Sequence, residues 1–461
     1  MRLARLIGPE LETLLRENPA EVRALLDEIH PEDLADVVEE LDDERAKALL
    51  TELPTEYAAQ VFERLGEDRQ GELAQQMGVA STALIATEMN ADERADFFSQ
   101  LPPELVAPLL EEIERVDPEA AEDVEELRRW PETSAGGLMT TDFITVRPEL
   151  RISDAIEEIR KRAEEAETLD AVYVVDTAER LMGFMSMRMM LLAGPNDRVR
   201  EVMHENVISV PPELDQEEVA RKLAKYDLHT LPVVDQTGDL LGVITSDDIL
   251  DVLTEEQSED VHKMGAVEPI EERYFDAPFS TYIRKRAPWL LILFFGGYLT
   301  TSAMRHFDGV LSALAQLAFY VPLLISAGGN SGAQSSTLVI RGLAVGDIRA
   351  KDWWRVLLRE LGQGLVLGGL LAAFGVVRVA ISGDGSQFAL LIALTLVFIV
   401  VLGCVVGAMM PIVLHRIGLD PATSSTPFIA TLVDVVGILI YLGMAQLVLS
   451  EVFARTAGAA P

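Results

Sequence analysis

Cysteine and positive charge are both scarce in this chain. Its single cysteine, Cys404, stands in an apolar run, so a disulfide framework and a thiolate metal cluster are excluded. Lys and Arg number 38 against 75 Asp and Glu, which gives a formal net charge of −37. Such an acidic surface repels nucleic acid and attracts cations, so no nucleic-acid partner is expected. No nucleophile and base form a recognisable pair, so we expect no enzyme.

The charge is divided unevenly along the chain. Only eight of the 75 acids follow Arg286, together with nine of the 38 Lys and Arg. The first 286 residues therefore carry a net charge of −38 and the remainder carries +1. The apolar part of residues 1–9 is too short for a signal peptide, so we expect the acidic part to stay in the cytoplasm. The pattern predicts an acidic soluble region joined to a nearly neutral membrane region.

Five apolar stretches follow Arg286, and each contains or approaches the roughly 20 residues that cross a bilayer. Basic residues precede the first stretch and follow the second and the fourth, while the other connections are poor in Lys and Arg. The positive-inside rule therefore predicts a multi-pass protein of the plasma (inner) membrane, with the N-terminus and soluble region in the cytoplasm and the C-terminus outside. The predicted spans are Pro288–Met304, Val310–Ile340, Leu361–Ile381, Phe388–Leu414 and Phe428–Val452.

Two polar features interrupt these stretches. The segment Ala327–Thr337 is rich in glycine and small polar residues, which predicts irregular backbone beside a pore or, alternatively, close helix packing at small residues. Asp434 lies within the last stretch, where a charge costs about 2.5–3.5 kcal/mol at a helix centre and by default indicates an ion path. One carboxylate and a few carbonyl oxygens suit a hydrated hard cation such as Mg²⁺. The alternative is a neutral or hydrogen-bonded carboxyl group between helices.

Two internal repeats lie between residues 139 and 253. Met139–Val146 matches Met203–Val210 at a spacing of 64 residues, and Gly183–Ser186 matches Gly242–Thr245. Each unit predicts the order strand, helix, strand, turn, strand, helix. This order and these motifs resemble a tandem pair of CBS domains, a module that by itself indicates little about activity.

A nucleotide site is implied by the CBS resemblance alone. In that family a Gly-x-x-Thr-x-x-Asp stretch can bind an adenine nucleotide, and Gly242, Thr245 and Asp248 match it. The first repeat lacks the Asp, so the resemblance implies at most one ATP site in the pair. A purely structural CBS pair is the alternative.

The rest of the soluble region is helical in pattern. Short amphipathic units up to residue 130 each open with a capping residue or proline and close near a proline or glycine, which predicts a superhelical stack of short helices. Asp92 and Asp96 share one face of such a helix. Residues 246–265 continue as one amphipathic helical pattern towards the first span.

Nearly the whole chain resembles the MgtE-type magnesium channels. Four segments are highly specific together: Ala318–Leu324, Gly328–Gln334, Asp420–Ala422 and Ala430–Gly437. The resemblance implies a homodimeric, Mg²⁺-selective channel in the lipid bilayer, with one pore on the dimer axis. In that pore Asp434 holds the hydrated ion, beside backbone oxygens of Gly329 and Ala430 and beside Asn330.

The expected fold class is therefore a multidomain membrane protein. It combines an all-α superhelical N-domain, an α/β tandem CBS pair, a long connecting ("plug") helix and a five-span α-helical transmembrane domain. The expected boundaries are residues 1–130, 131–253 (about 137–200 and 201–253), 254–283 and 284–461.

The resemblance also implies a sensor of cytosolic Mg²⁺. Acids on the facing soluble domains repel one another without cations, and with Mg²⁺ bound they pack together and hold the plug helix shut. The matching acids are Asp92, Asp96, Asp215, Glu217, Asp227, Asp248, Asp251, Glu259, Asp260 and Asp420.

Two other functions are compatible with these residues. The first is a channel or carrier for another divalent cation such as Co²⁺ or Mn²⁺, which ion competition in a flux assay distinguishes. The second is a membrane-anchored CBS sensor that conducts nothing, which a flux measurement on purified protein in liposomes distinguishes.

Overall fold

The computed structural model describes residues 29–163, 166–270, 274–275 and 277–450. The chain divides into two compact units, Met1–Thr254 and Glu255–Pro461. The start of the predicted N-domain, before residue 29, lies outside the described residues, as does the predicted end of the last span after residue 450.

Short helices follow one another from residue 31 to residue 127 because capping residues and prolines start each new one. The Asp42 carboxylate, for example, accepts a hydrogen bond from the Arg45 backbone N–H at 3.1 Å. Helices that are consecutive in the chain, or separated by one other helix, pack together. Their core contains an edge-to-face cluster of Phe62, Phe97 and Phe98. The stack consists of α1 (Pro31–Glu40), α2 (Asp43–Glu52), α3 (Thr55–Glu63), α4 (Glu67–Met77), α5 (Val79–Thr87), α6 (Ala91–Gln100), α7 (Pro103–Val116) and α8 (Pro118–Leu127).

The two predicted repeats form two small sheets. In the first, β1 is parallel to β2 and β2 is antiparallel to β3, and in the second β4 is antiparallel to β5. A parallel bridge between Val210 and Val233 repeats the β1–β2 pairing in the second sheet. The elements are β1 (Thr145–Val146), α9 (Ile152–Arg162), β2 (Ala171–Val175), β3 (Leu181–Ser186), α10 (Met187–Leu192), α11 (Val199–Val202), α12 (Gln216–Tyr226), β4 (Thr230–Val234) and β5 (Leu240–Thr245).

The segment that leads into each repeat pairs with the last strand of the other repeat. Thr140 pairs with Val243 in β5, and His204, 64 residues later, pairs with Phe184 in β3. A Cβ on Gly183 would lie 2.8 Å from the His204 backbone oxygen, and a Cβ on Gly242 would lie as close to the Thr140 oxygen. The glycines that revealed the repeat are therefore needed where these backbones cross.

The predicted amphipathic helix follows β5 directly. Helix α13 runs from Ser246 to Met264, and Gly265 and Ala266 end it, the latter with φ of 57°. The next helix in the described part of this segment begins at Phe279. The predicted connecting segment 254–283 is therefore not one helix, although the amphipathic pattern itself is confirmed.

Long helices make up the second unit. Four helical segments are long and apolar enough to cross a membrane: α14, α18, α19, and Ala350–Ser382, which contains α17. Helix α16 rises about 43 Å over its 29 residues, long enough to cross a bilayer, but with its polar middle it is not among those four. The elements are α14 (Phe279–His306), α15 (Asp308–Ala313), α16 (Gln316–Ala344), a 3₁₀ turn (Ala350–Asp352), α17 (Trp353–Ser382), α18 (Ser386–Arg416), a 3₁₀ turn (Pro421–Thr423) and α19 (Thr426–Val448).

The prediction of irregular backbone at residues 327–337 is wrong, because this segment is the uninterrupted middle of α16. Its glycines serve the alternative role of close helix packing. A Cβ on Gly403 of α18 would overlap the Gly328 carbonyl oxygen, and a Cβ on Gly407 would overlap that of Gly332. Small residues four apart on both helices thus let the two backbones touch, the packing that membrane helices favour.

We expect the change Gly407→Ala to lower the thermal unfolding midpoint of the purified protein in detergent by several degrees. The new methyl group must push α16 from α18, and such overpacking costs about 1–3 kcal/mol. Gly443→Ala in α19 is the matched control, because a Cβ there would meet no atom within 4 Å. Equal midpoints for the two variants would contradict the packing argument.

Candidate functional site

Three carboxylates from three parts of the soluble unit meet in one acidic cluster. Asp92 lies in the first turn of α6, Glu167 precedes β2, and Asp248 lies in the first turn of α13. Each offers an oxygen, and these oxygens lie within 4.8 Å of one another. Asp248 is held by Thr245, whose hydroxyl and backbone N–H both donate to Oδ2, at 2.6 and 3.3 Å. The fold thus brings the N-domain and both repeats to one point.

Burial makes this acidic cluster electrostatically costly. Only 6% of Asp92 is exposed, and its Oδ1, like Oε2 of Glu167, is buried without a hydrogen-bond partner. Burial, together with the neighbouring acids Glu167 and Asp248, raises the pKa of Asp92 well above its usual range. Burial and the charge of Asp248 raise the pKa of Glu167 to about 7, and burial also raises the pKa of Asp248. Unpartnered oxygens of this kind fit a hard divalent cation.

The basic residue of α6 is engaged elsewhere. Arg94 forms an ion pair with Asp123 at 3.0 Å and donates to the Met89 backbone oxygen, also at 3.0 Å. Burial and the charges of Glu63 and Asp96 raise the pKa of Glu93 to about 8, so that carboxyl group is largely neutral near pH 7. Neither residue brings a positive charge to the cluster. The cluster therefore keeps an excess of negative charge that a bound cation would offset.

The predicted regulatory acids of the second repeat are not gathered in the same way. Asp215 and Asp227 cap opposite ends of α12, about 18 Å apart along the helix axis. Glu217 forms an ion pair with Arg221 on the same helix, and Asp251 is exposed on α13. Of the predicted regulatory acids in this unit, the fold brings Asp92 and Asp248 close together. Asp96 lies one turn further along α6.

Lys263 joins two of the predicted acids of the second unit. Its ammonium group forms ion pairs with Glu259, one turn earlier in α13, and with Asp420 at 2.7 Å. Although burial lowers the pKa of Lys263, hydrogen bonds to Asp420 and Glu259 outweigh this and raise that pKa, so the ammonium form is retained. Asp420 also caps the turn before α19 by accepting from the Ala422 N–H at 2.8 Å. Asp260 is half-buried on the same helix as Glu259.

The predicted pore residues meet where α16 packs on α19. A Cβ on Gly329 would lie 3.3 Å from the Ala430 Cβ and 3.8 Å from Asp434 Oδ1. Asp434 is partly exposed, and among the described residues none donates a hydrogen bond to it or pairs with it. An unpartnered carboxylate beside a glycine backbone leaves room for a cation with part of its water shell.

Asn330 lies on the neighbouring face of α16. Its amide donates to the Ser326 hydroxyl at 3.2 Å, and both residues line a cavity of about 650 Å³ between α16 and α17. The structure therefore brings Gly329, Ala430 and Asp434 together and gives Asn330 a different immediate partner.

Two acids were missed by the sequence reasoning. Glu167 stands in a connection without periodicity, and only the fold brings it beside Asp92. Glu360 is 5% exposed on α17 and accepts a hydrogen bond from Ser335 of α16 at 2.6 Å. An acid just before an apolar stretch was the available signal for Glu360, whereas Glu167 offered none.

The implied nucleotide residues are partly brought together. Thr245 and Asp248 are hydrogen-bonded to each other, and Gly242 is buried against Thr140 at the crossing of the two repeats. Asp248 is therefore shared between the acidic cluster and the implied nucleotide motif.

Comparison with known proteins covers most of the chain. Family models match residues 321–444 (MgtE, divalent cation transporter), 29–133 (MgtE intracellular N domain), and 135–195 and 199–255 (CBS domain). The magnesium transporter MgtE of Thermus thermophilus is 45% identical over 339 residues, which are 73% of this chain and 75% of that protein.

Solved structures match the soluble unit. The soluble part of a magnesium transporter aligns with a TM-score of 0.51 and 28% identity, over 55% of this chain and 99% of that one. The cytosolic domain of the Mg²⁺ channel MgtE in complex with ATP aligns with a TM-score of 0.49 and 37% identity, over 52% and 97%.

We expect the thermal stability of the full-length protein, kept in chelator, to fall as the pH rises from about 6 to about 8. The folded-state pKa values of Asp92, Glu93 and Glu167 lie above their unfolded values, so the folded state binds more protons and loses stability as they leave. Saturating Mg²⁺ should restore the loss, and Glu167→Gln should flatten the pH dependence. The exposed Glu205→Gln is the control, and a wild-type slope in Glu167→Gln would contradict the prediction.

Proposed function

The chain belongs to the MgtE family of divalent cation transporters, and we propose how it conducts Mg²⁺ and what closes it. It is a multi-pass membrane protein that transports magnesium under the control of its cytosolic region. In our proposal the ion passes Asp434 as a hydrated species. The observation that carries this is the meeting of Gly329, Ala430 and an unpartnered Asp434 at one point.

A homodimer would complete the pore. One carboxylate per chain is too weak a ligand set to replace the water shell of Mg²⁺, which dehydrates reluctantly. Two copies of Asp434 across a dimer axis would hold the hydrated ion by charge and by bonds to its waters. Selection of Mg²⁺ over Co²⁺ or Mn²⁺ would then rest on the reluctance of Mg²⁺ to give up its water shell.

Basic residues support the proposed orientation. Arg284, Lys285 and Arg286 precede most of the apolar part of α14. Further basic residues lie from the end of α16 to the start of α17 and at the end of α18. The positive-inside rule then puts the acidic unit in the cytoplasm and the C-terminus outside.

Asp434→Asn should abolish Mg²⁺ uptake in cells that lack other Mg²⁺ importers. The amide keeps the size of the side chain but removes the charge that attracts the hydrated ion. Asp308→Asn, on the short helix α15, is the control and should import normally. Wild-type uptake by Asp434→Asn would rule out this carboxylate as the pore ligand, and competition by Co²⁺ or Mn²⁺ in the same assay tests the alternative cargo.

We propose that Mg²⁺ bound in the acidic cluster holds the closed state. The buried, unpartnered oxygens of Asp92 and Glu167 support cation binding there. Asp248 of the cluster lies on α13, the helix that also carries Glu259, Asp260 and Lys263. Loss of cytosolic Mg²⁺ would leave the carboxylates repelling one another, so α6 and the start of α13 would separate. The end of α13, which belongs to the predicted plug segment, would then be released. The remaining predicted acids, Asp215, Glu217, Asp227 and Asp251, would bind further ions on the same surfaces.

Cytosolic Mg²⁺ should inhibit currents of the wild-type channel in excised patches. Glu167→Gln and Asp248→Asn should each shift the inhibitory concentration upwards by about tenfold or more, since each removes one ligand charge, and Asp248→Asn with Asp251→Asn should shift it further. The exposed Glu104→Gln serves as control. Currents that ignore cytosolic Mg²⁺ would contradict the gating proposal while leaving conduction intact.

We propose ATP as a second ligand of the cytosolic region. The hydrogen-bonded pair Thr245 and Asp248 supports this, because an ionised Asp at this position can accept from the ribose hydroxyls. The role of Gly242 would then be to keep the two repeats close rather than to touch the nucleotide.

A further inference from the structure

Two adjacent tryptophans open α17 and are both exposed. Trp353 is 42% and Trp354 is 50% exposed, although each has a large apolar ring. Tryptophan collects at the boundary between lipid tails and water, where its ring lies at the level of the headgroups. A start of α17 at the membrane surface would account for their exposure.

Arginine side chains stack on both rings. The Arg416 guanidinium, at the end of α18, lies 6.0 Å from the centre of the Trp353 ring. The Arg355 guanidinium lies 5.5 Å from the Trp354 ring and also reaches Asp352 at 3.7 Å. Stacking fixes the plane of a guanidinium and leaves its edge N–H groups available to an anion.

Further positive charge lies beside these arginines and exceeds the single negative charge of Asp352, whose carboxylate also accepts from the Arg349 backbone N–H at 3.4 Å. Arg349 and Lys351 are exposed, and neither they nor Arg416 has an ion-pair partner among the described residues. The 3₁₀ turn Ala350–Asp352 packs against α18, so Lys351 and the end of α18 belong to one surface. We call Arg349, Lys351, Arg355 and Arg416 the basic edge.

We propose that the basic edge binds the phosphate headgroup of an anionic phospholipid. The exposed apolar side chains Leu358, Ile417 and Leu419 beside it would contact the acyl chains. That combination of cations, stacked aromatic rings and apolar flank favours a lipid over a free phosphate. This proposal rests on the proposed orientation of the protein in one respect only. That orientation names the cytoplasmic leaflet as the source of the lipid.

Quenching by brominated lipid tests the proposal on the full-length protein. Trp130→Phe and Trp289→Phe leave Trp353 and Trp354 as reporters, in vesicles with a symmetric mixture of phosphatidylcholine and phosphatidylglycerol. At equal mole fraction we expect brominated phosphatidylglycerol to quench more strongly than brominated phosphatidylcholine. Removing one cation by Arg416→Gln or Lys351→Gln should lower the apparent preference about fivefold.

Arg305→Gln is the matched control, since Arg305 is an exposed arginine in the last turn of α14. Equal quenching by both lipids, or an equal loss in Arg305→Gln, would overturn the proposal. Loss of the preference in excess inorganic phosphate would identify a soluble phosphate site and also overturn it. Mg²⁺ uptake by the same vesicles checks that each variant is folded, and it reports failure of the transport proposal separately from failure of the lipid site.

Discussion

Carboxylates buried beside one another without a counter-charge are the constraint on which the cytosolic region depends. Asp92, Glu167 and Asp248 come from three elements that are far apart in the chain, yet their oxygens lie within 4.8 Å. Three ionised groups at that distance repel strongly, and Arg94 is already paired with Asp123. A proton or a divalent cation must therefore enter when these elements pack. The proposed sensing would follow from the same cost, because losing the cation would leave a repulsion that only separation relieves.

A different constraint, close backbone packing, positions Asp434, the proposed pore carboxylate. Gly328 and Gly332 contact the backbone of α18, which fixes the rotation of α16 about its own axis. Gly329, one residue on, is then turned towards Ala430 and Asp434 of α19. The glycines thus have two roles in one turn of helix: two bring α18 close, and the third keeps the space beside Asp434 free of a side chain.

Local patterns in the sequence predicted the fold well, and the candidate site only in part. The 64-residue repeat, the short helices and α13 depend on neighbours in the chain, so periodicity indicated them. Glycine in a membrane segment has two meanings, irregular backbone or close packing, and the partners in α18 that decide between them cannot be identified from α16 alone. Glu167 joins Asp92 and Asp248 solely through the tertiary fold, so no spacing could have predicted it.

Sharing of Asp248 would couple the proposed cation and nucleotide sites. Thr245 donates both of its hydrogen bonds to Oδ2 of Asp248, which leaves Oδ1 for a cation. These bonds favour the ionised carboxylate, whereas burial opposes it. A ribose hydroxyl donating to the same carboxylate would favour ionisation further and so strengthen cation binding. Because such coupling is reciprocal, Mg²⁺ in the acidic cluster would raise the affinity for the nucleotide by the same factor.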